Sequence, residues 1–146
     1  MTTALAMAAV ILVIVLQPYF GQIKSFDQIG AFALAEHLSS DLEMTFKAQE
    51  VGDATGWFSE RLGFQIAIPG LEEQGFQFVG GRECFLGKKK AAYLYYQKQG
   101  EKVSLFIINY RDLDFPLSRH KTYMVYDQGY EIKVWIRGKL CYALVE

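Results

Sequence analysis

Neither sign of charge dominates this sequence: 15 Lys and Arg stand against 16 Asp and Glu in 146 residues. A nucleic-acid-binding surface needs a basic excess, so the composition argues against nucleic acid as a partner. Histidine and cysteine are scarce, two of each. A zinc site takes about three or four His, Cys or carboxylate ligands in compact spacing, such as Cys-x-x-Cys or His-x-x-x-His, and neither His37 nor His120 begins such a pattern. The donors left for a soft copper or haem site assembled by the fold are His37, His120, Met124, Cys84 and Cys141, with Met44 beside them. The ordinary reading makes His37 a helix-surface residue and His120 a loop residue. Cys84 and Cys141 each lie in a strand-like run, which favours packing; in an exported domain they could instead pair.

Phosphate-binding signatures are missing too. A Walker loop needs Gly, four residues, Gly, Lys, then Ser or Thr, so that backbone amides wrap the phosphates and the hydroxyl reaches magnesium. In GFQFVGGRECFLGKKKAAYLYY, residues 75–96, five residues separate Gly81 from Gly87-Lys88, Lys89 replaces the hydroxyl, and a strand rather than a helix follows. Gly80-Gly81 therefore reads as a bend or close backbone approach within a strand, and Arg82 as a surface or pairing residue. No serine has a nucleophile-elbow context: Ser39, Ser40, Ser59, Ser104 and Ser118 all lack the flanking glycines. The acidic pairs Glu72-Glu73 and Asp112/Asp114 fall in turn-like segments. The expectation is a protein that is not an enzyme and uses no cofactor.

What is present begins with an apolar run from Ala4 to Leu16, extended through Gln17 and Pro18 to Tyr19 and Phe20, with no charged side chain before Lys24. A membrane span needs about 20 mostly apolar residues and a signal-peptide core about 7 to 15, so the length fits either. A basic segment ahead of the run and a small-x-small cleavage site after Leu16 are both missing, which favours an uncleaved anchor over residues 1–21. Tyr19 and Phe20 suit the bilayer interface. Lys24 alone weakly favours the wrong side for an exported domain.

Beyond the run, residues 22–146 read as one domain. Ser25-Phe26-Asp27-Gln28 has the form of a capping box and starts a helix at Phe26. Ala31, Leu34, Ala35, Leu38 and Leu42 recur at helical spacing, which predicts an amphipathic helix to about Met44. Asp53 reads as the N-cap of a short helix containing Trp57, Phe58 and Leu62, stopped by Gly63. The period then changes. Strands are predicted over Ile66–Ile68, Phe76–Leu86, Ala91–Gln97, Lys102–Tyr110, Thr122–Tyr126, Tyr130–Arg137 and Lys139–Val145, with one helical turn at Leu71–Gln74 and Lys88-Lys89-Lys90 in a solvated turn. Ile132, Val134 and Ile136 alternate with Glu131, Lys133, Trp135 and Arg137, which describes a sheet with one buried face. The predicted fold is α+β: an N-terminal apolar membrane helix, then an amphipathic helix and a short helix covering a mainly antiparallel sheet.

Several pieces occur in a familiar order: Ala35-Glu36-His37-Leu38, Gly56-Trp57-Phe58, Arg61-Leu62-Gly63-Phe64, the stretch 75–96, VSLFI at 103–107, and the ending GYEIKVWIRGKLCYALVE. This set resembles the extracytoplasmic C-terminal region of bacterial membrane-anchored anti-sigma factors, over most of residues 30–146. The resemblance implies a domain outside the cytoplasm on a single membrane pass, with a protein partner in a sigma-factor signalling pathway. Its motifs are packing motifs, so they speak for fold more than function. That family carries a cytoplasmic His-x-x-x-Cys-x-x-Cys zinc module before its span; here Met1-Thr2-Thr3 precede the apolar run, and the zinc motif is not in this sequence. The expected function is a membrane-anchored, non-catalytic sensory and regulatory domain. The alternative is an exported metal- or haem-binding protein.

Overall fold

The computed structural model describes residues 23–39, 43–47 and 51–146. The expected anchor, residues 1–21, lies outside the described residues. Among those described, no helix is long and apolar enough to cross a membrane.

Helix α1, Phe26–Leu38, starts where the capping box places it. Ser25 Oγ accepts from the Gln28 amide at 3.2 Å, while Gln28 Oε1 accepts from the Lys24 amide at 2.7 Å. Ser25 thus satisfies one orphan donor at the helix start, and the Gln28 side chain reaches back to the amide just before the cap instead of to Ser25 itself. The helix ends at Leu38, short of the expected Met44, and Ser39 turns to an extended conformation. Its buried side is also displaced. Ile29, Gly30, Ala33, Leu34 and His37 face inward, while Ala31 and Ala35 are exposed and Leu38 is 43 % exposed. The difference is a rotation of one residue, about 100° at 3.6 residues per turn. Close approach decides it: a Cβ on Gly30 would lie 3.2 Å from Val125 Cγ1, so the helix backbone comes nearest the sheet where it has no side chain.

Helix α2 spans Val51–Leu62 and buries Ala54, Phe58 and Leu62. Asp53 lies inside its first turn rather than at its cap. Gly63, at φ 76°, stops it as expected. Ile66–Ile68 forms no strand; it is irregular chain, pinned by Tyr142 Oη donating to the Ala67 carbonyl at 2.7 Å and by Ser59 Oγ accepting from the Ile66 amide. A 3-10 turn, Glu72–Gln74, leads into the sheet.

Six antiparallel strands follow: β1 Gln77–Leu86, β2 Lys89–Lys98, β3 Glu101–Asn109, β4 Thr122–Asp127, β5 Tyr130–Arg137 and β6 Leu140–Val145. Their spatial order is β1-β2-β3-β6-β5-β4, two meanders joined where β3 pairs with β6. The expected single buried face is corrected: the helices cover opposite faces. One face carries Tyr93, Phe106, Val134, Ala143 and their neighbours under α1; the other carries Leu94, Leu105, Tyr142 and Leu144 under α2 and the 64–76 segment. A central strand covered on both sides cannot alternate, and β6 is buried at every position. The alternation read in β5 holds because α2 does not reach that far across the sheet.

The register places Cys84, Ala91, Ile108 and Cys141 in one row across β1, β2, β3 and β6. Three inter-strand steps separate the cysteines by roughly 14 Å, beyond disulfide reach. Both are free and buried, and burial pushes each thiol up to about 12.

Candidate functional site at the end of helix α1

The last turn of α1 lies over the open end of β2 and β3, where the α1 face of the sheet turns polar. Strand alternation puts Lys102 and Ser104 of β3, Tyr93 and Tyr95 of β2 and Arg82 of β1 on that face. Ser104 is fully buried. Its Oγ lies 2.7 Å from His37 Nδ1 and 3.1 Å from Tyr93 Oη. The His37 tautomer decides which group donates in the 2.7 Å contact, and a hydroxyl at Ser104 can serve either ring form. The His37 ring also meets Tyr130 edge-on at 4.9 Å.

Two cations close the arrangement. Arg82 Nη2 pairs with Glu36 Oε2 at 2.5 Å, its guanidinium standing 5.1 Å from the centre of the Tyr93 ring. Lys102 Nζ donates to the His37 carbonyl at 2.5 Å, which satisfies one of the orphan acceptors of the helix end and opposes its dipole. Burial, with Arg82 nearby, lowers the Lys102 pKa. Burial and then Lys102 hold His37 down at about 4. Beside this network opens a cleft of about 750 Å³, lined among others by His37, Leu38, Tyr95, Lys102, Tyr130 and Glu146.

His37 is a buried core residue, which corrects its reading as a helix-surface histidine. Of the candidate donors, His37 and Met44 line this cleft. His120 is exposed in the turn before β4, Met124 sits on β4 on the face away from α1, and the cysteines lie in the apolar row beneath α1. Among the described residues no group of three His, Cys, Asp or Glu could hold a metal ion. Ser104, Tyr93, Arg82, Glu36 and Lys102 were not legible as a unit. The available signal was Ser104 inside an otherwise apolar strand, with Lys102 two residues before it on the same face.

The Ser104–His37 pair has the composition of a nucleophile and base, but the hydroxyl is fully buried and both its contacts are internal. No substrate carbonyl reaches it without lifting α1 off the sheet. Compared with known proteins, the chain matches no family model, no curated protein and no solved structure.

A neutral buried His37 makes stability pH-dependent. Its folded pKa, about 4, lies below the ordinary 6.5, so unfolding takes up a proton as pH falls between these values. The contribution is complete above about pH 6.5, and about 2 kcal/mol of it is lost by pH 5. Urea titrations at pH 7.5 and pH 5 should show that loss in the wild type, and His37→Gln should remove most of it. An equal loss in the variant would place the acid sensitivity elsewhere.

Proposed function

We propose that this chain is a membrane-anchored, non-catalytic sensory domain, in which α1 carries the state of its cleft toward the apolar segment that precedes it. The single observation behind this reading is continuity. The helix that follows the apolar run ends in a buried polar network, and two members of that network, His37 and Lys102, line the cleft of about 750 Å³. A ligand or partner in the cleft competes for Lys102 and His37, the groups that seat the end of α1, and so shifts the helix by its differential affinity for the two seatings. In keeping with the resemblance to anti-sigma regulators, the domain lies outside the cytoplasm and its partner is a protein of a sigma-factor pathway. The metal- or haem-binding alternative gains no support from five candidate residues spread over α1, β1, β4, β6 and a loop.

Fractionation tests the anchor: the full chain should stay with the membrane until detergent is added, and release as a processed soluble protein would sink the reading. The coupling has its own test. Lys102→Met should raise amide hydrogen exchange in residues 33–38 about tenfold while leaving β3 and β6 protected. Equal loss across the sheet would mean that α1 is not a separately adjustable element.

A further inference from the structure

The two edges of the sheet are treated differently. At the β1 edge a register shift falls between Phe78 and Gly80, and the passing segment at Phe46 closes onto Gly81 with two backbone hydrogen bonds of 2.8 and 2.9 Å. The β4 edge, Thr122–Asp127, has neither device. It contains no proline and no charge between Thr122 and Tyr126, and its pairing with β5 is regular. Natural edges are normally blunted by such features. Two of the large exposed apolar side chains, Met124 at 38 % and Tyr126 at 71 %, lie on this strand.

Which backbone groups face outward follows from the ladder. Glu131 and Glu146 exchange both hydrogen bonds at 3.0 Å, so the odd residues of β5 face β6 and the even ones face β4. Tyr130, Ile132 and Val134 therefore bond to Asp127, Val125 and Tyr123. The amides and carbonyls of Thr122, Met124 and Tyr126 point away from the sheet, with no backbone partner among the described residues.

We propose that β4 pairs antiparallel with β4 of a second copy of this chain, on a two-fold axis at Met124, joining two six-stranded sheets into one. Charge complementarity selects a second copy as the occupant. With Met124 opposite itself, Thr122 meets Tyr126, Tyr123 meets Val125, and Lys121, the residue before β4, meets Asp127 of the second copy. Lys121 and Asp127 are exposed, and among the described residues neither has an ion-pair partner in its own chain. The symmetry makes this opposite-charge pair twice, once at each end of about six new backbone hydrogen bonds. The axis is normal to the sheet, so both copies keep their α1 faces on one side. Each α1 starts above β4, with Phe26 against Tyr123 at 4.9 Å and Gly30 over Val125, so the starts of both α1 helices lie on that one side of the joined sheet.

The test uses the full chain in nanodiscs and detergent. Met124→Cys should cross-link to a disulfide dimer under copper–phenanthroline, since a hydrogen-bonded antiparallel pair sets Cα atoms about 5.5 Å apart, within disulfide range. Thr122→Cys should cross-link with Tyr126→Cys better than either does with itself. In sedimentation experiments Lys121→Glu should weaken the dimer about tenfold or more by making two like-charge pairs, and adding Asp127→Lys should restore it. A monomer at every concentration would overturn the proposal, including one whose β4 edge is covered by residues 1–22 of its own chain. So would a dimer indifferent to the charge reversal, or cross-links without this register.

Discussion

Gly81→Ala is expected to lower stability by about 3 kcal/mol, whereas Gly56→Ala should raise it by about 0.5 kcal/mol. At Gly81 a Cβ would sit 2.7 Å from the Tyr93 carbonyl oxygen and 2.7 Å from Phe58 Cζ. Neither neighbour can yield. The Tyr93 carbonyl belongs to β2, held between β1 and β3, and Phe58 is fully buried with Trp57 edge-on against it at 4.9 Å. At Gly80 the closest atom is the Phe46 carbonyl oxygen at 2.6 Å, on a segment attached by one bridge, so Gly80→Ala should cost less, about 1 kcal/mol. A Cβ on Gly56 meets nothing within 4 Å, and alanine is the better helix residue there. Urea midpoints of the three variants should fall in the order Gly56→Ala, Gly80→Ala, Gly81→Ala. A Gly81→Ala protein as stable as wild type would mean that β1 can move off α2, and the Gly-Gly bend would lose its packing explanation.

That bend shows what local chemistry makes legible. Glycine within a strand pattern signals close backbone approach, and the structure supplies the approaching groups, Phe46 on one side and Phe58 on the other. The strands were readable where hairpin residues with φ > 0 set their boundaries, as at Gln128-Gly129, 51° and 85°. What escaped were properties set by partners distant in sequence. The buried side of α1 is chosen by how near Gly30 can come to Val125, so a ranking by apolarity picked the stripe one residue away. His37 followed that error. The two-sided cover of the sheet is written in the apolar runs of β3 and β6, but the alternation of β5, a strand outside the reach of α2, describes only the part of the sheet with one covered face. The site was harder still, because its members come from α1, β1, β2 and β3, and only the register brings them together.

The second large effect is expected at the Arg82–Glu36 pair, and it should be asymmetric. The two side chains are 14 % and 29 % exposed, and among the described residues Arg82 Nε is buried without a hydrogen-bond partner. Glu36→Leu strands the guanidinium among Tyr93, Cys84 and the helix end; removing one partner of a largely buried pair costs about 3 kcal/mol. Arg82→Met leaves a carboxylate with more access to water, and should cost about 1 to 2 kcal/mol. Joining the two changes should bring stability back to within about 1 kcal/mol of wild type, because apolar side chains of similar size need no partner. A double-mutant cycle by urea denaturation reads this directly, and additive losses would show that the pair is not coupled. If the double variant is as stable as expected, the ion pair contributes little net stability, and its role is to fix where α1 ends on the sheet. The helix would then keep its fold but lose its single seating, and amides 33–38 should exchange faster in the double variant at unchanged global stability. An element whose end is held by position-specific charges is one that a competing charge in the adjoining cleft can move.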